Sequence, residues 1–166
     1  MNQAAGEPKV RLWELVQKFR TAMLITRAPD GSLRGRPLSL ASKHDGGKLY
    51  FSTSIDSPKV EEMAASPEVV VTLQDSALYV SISGTAQISR DPALIERLWS
   101  EPWRVWFPEG KSDPSLSIVT VTPREAEYWD QTGAKGIKYF LELIKAYATG
   151  TTPESGASSN NSKVKL

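Results

Sequence analysis

Small hydroxyl side chains and a lysine lie close together just before a predicted helix. The helix is predicted to begin at Pro58, because proline favours the first helical position and Ser57 favours the N-cap before it. Backbone N–H groups and the helix dipole at such a start attract anions, and the charge of Lys59 would add to both. The pattern predicts a phosphate-binding site with further hydrogen bonds from Ser52, Thr53 and Ser54. The alternative is an ordinary capped helix.

The segment upstream of the hydroxyl residues predicts a strand that carries two arginines. In residues 33–42, Leu38 and Leu40 fall on one face of the strand and Ser39 falls on the other. Arg34 and Arg36 lie on the same face as these two leucines. Pro37 cannot donate a ladder hydrogen bond, which is typical of a strand edge or bulge that another group can approach. If this strand forms a hairpin with residues 48–53, Arg36 comes close to the hydroxyl residues. The alternative is a solvated strand face.

Composition and charge limit the kinds of protein and site that the chain can form. Its 166 residues, 40% of them hydrophobic, predict one domain at residues 1–148, and the polar segment 149–166 is predicted to be a disordered tail. A net charge of +1 does not favour nucleic acid or a membrane as partner. Because the chain has no cysteine and only one histidine, His44 in a predicted polar turn, we expect no metal site and no catalytic triad. The lack of a signal or membrane-spanning pattern favours the cytoplasm.

Short strands dominate the pattern of apolar residues and turns. Strands are predicted at residues 22–26, 33–42, 48–53, 68–74, 77–89, 116–121 and 126–130. Helices are predicted at residues 9–19, 58–65, 91–99 and 137–147. Six or seven short strands joined mostly by tight turns indicate a mainly β protein, a small antiparallel barrel with peripheral helices. A parallel sheet is disfavoured, because strands and helices do not alternate regularly.

Tryptophan is concentrated in one short segment. Trp99, Trp103, Trp106 and Phe107 fall within nine residues, and Trp129 follows later. Large amphipathic rings of this kind fill a core or form much of a homodimer interface. They can also form the wall of a pocket for a flat ring. Both interpretations hold if a ligand binds at a subunit interface.

Several of these motifs together resemble a known family. Between residues 8 and 130, the chain is similar to the flavin-binding split barrels of the pyridoxamine 5′-phosphate oxidase-like group, and within it to the general stress protein 26 type. The motifs that carry the resemblance are Arg-Gly-Arg-Pro-Leu, Phe-Ser-Thr-Ser, Val-Ser-Ile-Ser-Gly-Thr-Ala, Phe-Pro-Glu-Gly-Lys-Ser-Asp-Pro and Ala-Glu-Tyr-Trp-Asp. The resemblance implies a six- to seven-stranded antiparallel Greek-key split barrel. It also implies a homodimer with FMN at its interface, and FAD is the alternative cofactor.

The resemblance also implies a set of site residues. The phosphate and ribityl chain of the flavin would be held by Arg36, Ser52, Thr53, Ser54 and Lys59. The backbone of Pro37 and Leu38 would border the isoalloxazine ring. Trp106 and Trp129 would complete the pocket from the facing subunit.

The pattern leaves more than one function open. The oxidases of this family end in a segment with arginine and histidine groups for the substrate phosphate, whereas this chain ends in Ser-Asn-Asn-Ser-Lys-Val-Lys-Leu, which disfavours pyridoxamine 5′-phosphate oxidation. One hypothesis is a flavin-dependent oxidoreductase that takes electrons from a reduced nicotinamide, and the other is a non-catalytic flavin-binding stress protein. A barrel that binds single-stranded nucleic acid is disfavoured by the near-neutral charge.

Overall fold

The protein is described by a computed structural model, which covers residues 3–42, 45–132, 141, 143–150 and 161–166. Seven strands form one antiparallel sheet: β1 (Thr21–Arg27), β2 (Leu33–Ser42), β3 (Leu49–Ser54), β4 (Glu68–Gln74), β5 (Leu78–Ser89), β6 (Leu116–Asp130) and β7 (Asn161–Lys165). The strand order is β3-β2-β1-β4-β5-β6-β7. A further pairing of β3 with β6 closes six strands into a barrel and leaves β7 as an added strand.

The topology of this barrel is a Greek key. Strands β1, β2 and β3 pair in succession, and the chain then returns so that β4 lies beside β1. Apolar residues alternate along the strands: in β4, for example, Val69, Val71 and Leu73 are buried in the core. The prediction of a mainly β, six- to seven-stranded antiparallel split barrel is confirmed.

Strand β6 differs from the sequence prediction, which placed two strands there. It is one continuous strand that pairs with β5 on one side and, in its first half, with β3 on the other. The pairing with β5 shifts register so that Ser83 lies opposite Glu125 and Gly84 opposite Pro123. This bulge accommodates Pro123, which cannot donate a ladder hydrogen bond, without ending the strand. A Cβ atom on Gly84 would overlap the carbonyl oxygen of Thr122, so the bulge also requires glycine there.

The barrel is accompanied by the helices α1 (Gln3–Val16), α2 (Pro58–Ala65) and α3 (Pro92–Leu98). Helix α1 begins earlier than predicted, and Pro8 lies inside it. Its Leu12 and Leu15 are fully buried in the barrel core. None of the helices in the described ranges is long and apolar enough to cross a membrane.

The C-terminal segment is only partly as predicted. Strand β7 pairs with Glu125–Trp129 of β6, and Val164 is buried in the core, so residues 161–165 are not a disordered tail. A single inward-pointing valine gave the sequence pattern too little apolar signal for a strand. Residues 151–160 lie outside the described residues, as do His44 and residues 137–140 and 142 of the helix predicted at 137–147. The rest of the turn predicted at His44 is a short 3-10 helix at Asp45–Gly47, and residues 143–149 are helical.

Candidate functional site

An open stretch of β2 forms one side of the candidate site. Residues 33–39 of this strand pair with β1, whereas pairing with β3 begins only at Leu40, across a register shift. The side of Pro37 that faces away from β1 therefore has no strand partner among the described residues. This agrees with the strand edge that the proline predicted.

A cavity of about 400 Å³ lies against this edge. It is lined by Pro37, Leu38, Ser39, Ser52, Thr53, Ser54, Lys59, Trp103, Trp106 and Phe107. The hydroxyl residues and Lys59 make one part of the wall polar, and the aromatic rings make another part apolar. Most of the predicted site residues thus line one cavity, although they come from three separate segments of the chain. Arg36 and Trp129 are the two that do not line it.

Of the described residues that line this cavity, only Lys59 carries a formal charge. Its Nζ donates hydrogen bonds to Oγ1 of Thr53 at 3.0 Å and to Oγ of Ser57 at 2.6 Å. Within the described residues it forms no ion pair with a carboxylate. An ammonium group has three N–H donors, so one remains available to a ligand.

The environment of Lys59 shifts the pKa of its ammonium group. Burial lowers this pKa, because burial disfavours the charged form, and the positive charge of Arg36 lowers it further. The negative charge of Glu62 raises it and offsets part of that effect. A bound anion would therefore meet a partly desolvated cation.

The start of α2 follows the prediction in position but not in detail. Ser57 is the N-cap, with an extended backbone (φ −77°, ψ 139°), and Pro58 is the first helical residue. The Ser57 side chain makes no capping hydrogen bond and instead accepts one from Lys59. The helix start thus lacks the side-chain capping bond of many capped helices, and its role as a phosphate site stays a prediction.

Arg36, whose charge acts on Lys59, is held by a buried carboxylate. Its guanidinium donates to Oγ1 of Thr26 and, at 2.9 Å, to Oε2 of Glu62. Glu62 is only 2% exposed and also accepts hydrogen bonds from Thr26 and, at 3.2 Å, from Arg34. These contacts explain why Arg36 is near the cavity without lining it.

The same contacts keep Glu62 charged. Burial would raise the pKa of its carboxyl group, but the hydrogen bonds from Thr26 and Arg36 and the charges of both arginines outweigh burial and lower it. Sequence reasoning missed Glu62, because a glutamate beside Glu61 in a short helix is typical of a solvated face. The available signal was the pair of arginines on the strand face, which needs a negative partner when it is partly buried.

The aromatic cluster divides into buried and exposed rings. Trp103 and Phe107 are each 4% exposed and belong to a second apolar cluster with Ile95 and Leu98. For these two rings the core interpretation is correct, and they also form part of the cavity wall. Trp106, in contrast, is 68% exposed and lines the cavity of its own chain. The resemblance assigned it to the pocket of the facing subunit, and that role stays a prediction.

Trp129 lies on a different part of the sheet. It is opposite Tyr79 of β5 and Asn161 of β7. Its predicted role, to complete the pocket of a facing subunit, stays a prediction. Within the described ranges, no group of three or more histidine, aspartate or glutamate side chains is arranged to hold a metal ion.

A family model, a relative in sequence and two solved structures are similar to this chain. A family model described as pyridoxamine 5′-phosphate oxidase like matches residues 7–154. General stress protein 26 of Bacillus subtilis is 32% identical over 99 residues, which are 55% of this chain and 70% of that protein. A structure from Jannaschia sp. CCS1, assigned to general stress protein 26, has a TM-score of 0.72 at 25% identity and covers 98% of this chain and 100% of its own. The general stress FMN/FAD binding protein of Xanthomonas citri has a TM-score of 0.67 at 28% identity and covers 78% and 92%.

Proposed function

Because the chain belongs to the pyridoxamine 5′-phosphate oxidase-like family, we propose that it is a flavin-binding protein of the general stress type whose cavity binds FMN. The observation that carries this proposal is the environment of Lys59. A partly buried cation whose described partners are only hydroxyl groups is suited to a phosphate, since a charge-assisted contact would replace lost solvation. The relative from X. citri is named as an FMN/FAD binding protein, which supports a flavin.

The two parts of the cavity wall suit the two ends of FMN. Ser52, Thr53 and Ser54 offer hydrogen bonds to a phosphate or a ribityl chain beside Lys59. Trp103, Trp106 and Phe107 offer an apolar wall to an isoalloxazine ring. A volume of about 400 Å³ lies within the usual range for small-molecule sites. A second phosphate, as in FAD, finds no second cation among the lining residues.

A second copy of the chain is part of the proposal. Trp106 is 68% exposed and its neighbour Val105 is 80% exposed, so the cavity carries an apolar rim. Exposed apolar side chains that lie together often mark a protein–protein interface. We therefore place a homodimer interface at this rim, with the flavin at the interface.

The composition of the cavity wall bears on catalysis. No carboxylate or histidine lines it among the described residues, so the chain would contribute positioning and shielding rather than a general acid or base. A bound flavin would itself supply hydride chemistry. The candidate activity is electron transfer from a reduced nicotinamide to a small acceptor. The alternative is a protein that binds FMN without turnover.

The visible spectrum of the purified protein tests flavin binding. The protein is mixed with FMN, excess ligand is removed on a desalting column, and the bound flavin is measured near 450 nm. We expect retained FMN, whereas a colourless protein would contradict the proposal. NADH or NADPH consumption by the FMN-loaded protein then separates the two activities: turnover well above that of free FMN supports the oxidoreductase, and its absence supports the non-catalytic protein.

A further inference from the structure

Glu62 is a buried charged group that the proposed flavin site does not use directly. It does not line the cavity, yet its carboxylate accepts hydrogen bonds from Thr26, Arg36 and Arg34. A carboxylate that is 2% exposed is costly unless it is paired. These three contacts supply its partners and connect α2 to β1 and β2.

We infer that Glu62 is a positioning residue of the anion subsite: it holds the guanidinium of Arg36 behind Lys59 and supplies the negative charge that lets these two cations stay close together. The inference rests on the proposed flavin site and assigns a residue that supports it. Glu62 would act on the phosphate only through Arg36 and Lys59.

The geometry gives the first argument. Arg36 uses one N–H for Thr26 and one for Glu62, so the fork of the guanidinium is fixed by two acceptors. Its side chain is 22% exposed, and a guanidinium has five N–H donors. The donors that remain, and the positive charge, are thus held at a constant position relative to the cavity.

The charges give the second argument. The charged groups that act on Lys59 are Arg36 on β2 and Glu62 on α2, while β1 and β3 contribute the hydroxyls of Thr26 and Thr53. Arg34 on β2 also pairs with Glu62. Arg36 lowers the pKa of Lys59 and Glu62 raises it. Without the carboxylate, Arg36 would act on Lys59 with no negative charge to offset it, and Lys59 would lose its proton at a lower pH.

The test compares Glu62→Gln with wild-type protein by titration with FMN and with riboflavin, which lacks the phosphate, from pH 6 to pH 9. Glutamine has nearly the same shape but no charge. We expect FMN affinity to fall about tenfold and riboflavin affinity to change less than about twofold. As the pH rises, the FMN affinity of Glu62→Gln should begin to decline at a lower pH than the FMN affinity of wild type. Glu61→Gln is the matched control, since Glu61 is exposed on the same helix, and it should bind both flavins as wild type does.

Tighter or unchanged FMN binding by Glu62→Gln would overturn the inference, because it would mean that the carboxylate only repels the phosphate or does not affect it. A wild type that binds FMN and riboflavin equally would instead overturn the proposed phosphate site. A titration of the ¹³Cε signal of Lys59, assigned with Lys59→Arg, tests the charge effect without any flavin. An equal Lys59 pKa in wild type and Glu62→Gln would contradict it.

A second variant keeps the test decisive if Glu62→Gln does not fold. Arg36→Lys preserves the charge but has no planar fork to span Thr26 and Glu62. We expect it to lose FMN affinity severalfold while its riboflavin affinity stays near that of wild type. Wild-type FMN affinity in Arg36→Lys would overturn the positioning role.

Discussion

The ammonium group of Lys59 lies 2.6 Å from Oγ of Ser57, the hydroxyl that occupies the N-cap position of α2. This contact takes the serine side chain away from the helix backbone, for which it makes no capping hydrogen bond. It also ties the lysine to the helix start rather than to solvent. The helix start is therefore hydrogen-bonded to the cation that lines the cavity.

Removal of the Lys59 charge should weaken FMN more than riboflavin. We expect Lys59→Ala to lower FMN affinity about tenfold or more, since a charge-assisted hydrogen bond contributes roughly 1.5–3 kcal/mol. Riboflavin affinity should change little. Fluorescence titration of both flavins measures the difference. Lys48→Ala is the control, because Lys48 is exposed and does not line the cavity; equal losses for both flavins in Lys59→Ala would contradict a phosphate contact.

The buried Glu62 carboxylate should make folding stability depend on pH. Its pKa is lowered in the folded protein from an ordinary value of 4.5, so the folded state binds this proton less readily than the unfolded state. The stability that it contributes is fully present above about pH 5 and is lost as the pH falls through the folded pKa. Urea unfolding between pH 7 and pH 3 should show a steeper loss in wild type than in Glu62→Gln. Parallel curves would show that Glu62 does not titrate in this way.

Local rules were sufficient for the parts of the site that are contiguous in sequence. Ser57 and Pro58 predict the helix start, and Pro37 predicts the strand edge, because each residue constrains its own backbone. The resemblance to the family then predicted that these segments meet at one site, which spacing alone could not show. It assigned Trp106 to the pocket of the facing subunit, however, whereas Trp106 lines the cavity of its own chain.

The features that sequence reasoning missed depend on contacts between distant segments. Glu62 is buried because Thr26 and Arg36 on other strands supply its hydrogen bonds, and neither partner is visible from the helix pattern. Val164 makes β7 a core strand only because β6 offers it an edge. The bulge at Gly84 likewise becomes apparent only when β5 and β6 are paired.

The bulge at Gly84 should tolerate no side chain. We expect Gly84→Ala to lower the melting temperature by roughly 2–10 °C, because an added Cβ would overlap the backbone of Thr122 and overpacking costs about 1–3 kcal/mol. Gly35→Ala is the matched control: its Cβ would meet the flexible end of Met23 at 3.4 Å and should cost little. Thermal unfolding followed by circular dichroism measures both. Equal melting temperatures would mean that the bulge adapts.

Trp106 should affect the ring of the flavin rather than its phosphate. We expect Trp106→Ala to weaken FMN and riboflavin by similar factors, roughly threefold to tenfold, because an aromatic contact contributes about 0.5–1.5 kcal/mol beyond its buried area. This equal effect contrasts with that of Lys59→Ala. A selective loss of FMN alone would show that Trp106 acts on the phosphate end instead.

The exposed rim of the cavity should be the surface at which two copies of the chain meet. Val105 is 80% exposed beside Trp106, and a charge placed in a buried apolar interface is costly. We expect Val105→Glu to shift the protein from dimer to monomer in sedimentation velocity and to weaken both flavins. Val10→Glu is the matched control, since Val10 is a 60% exposed valine on α1 and does not line the cavity.

A site shared between subunits also predicts a role for Trp129, which does not line the cavity of its own chain. If Trp129 completes the pocket of the facing subunit, Trp129→Ala should weaken FMN in the dimer but should have no additional effect in the monomeric Val105→Glu background. The double-mutant comparison isolates this coupling, because each single variant removes the same contact. A Val105→Glu monomer that binds FMN as tightly as wild type would contradict a site shared between subunits, and the cavity of one chain would then be sufficient for binding.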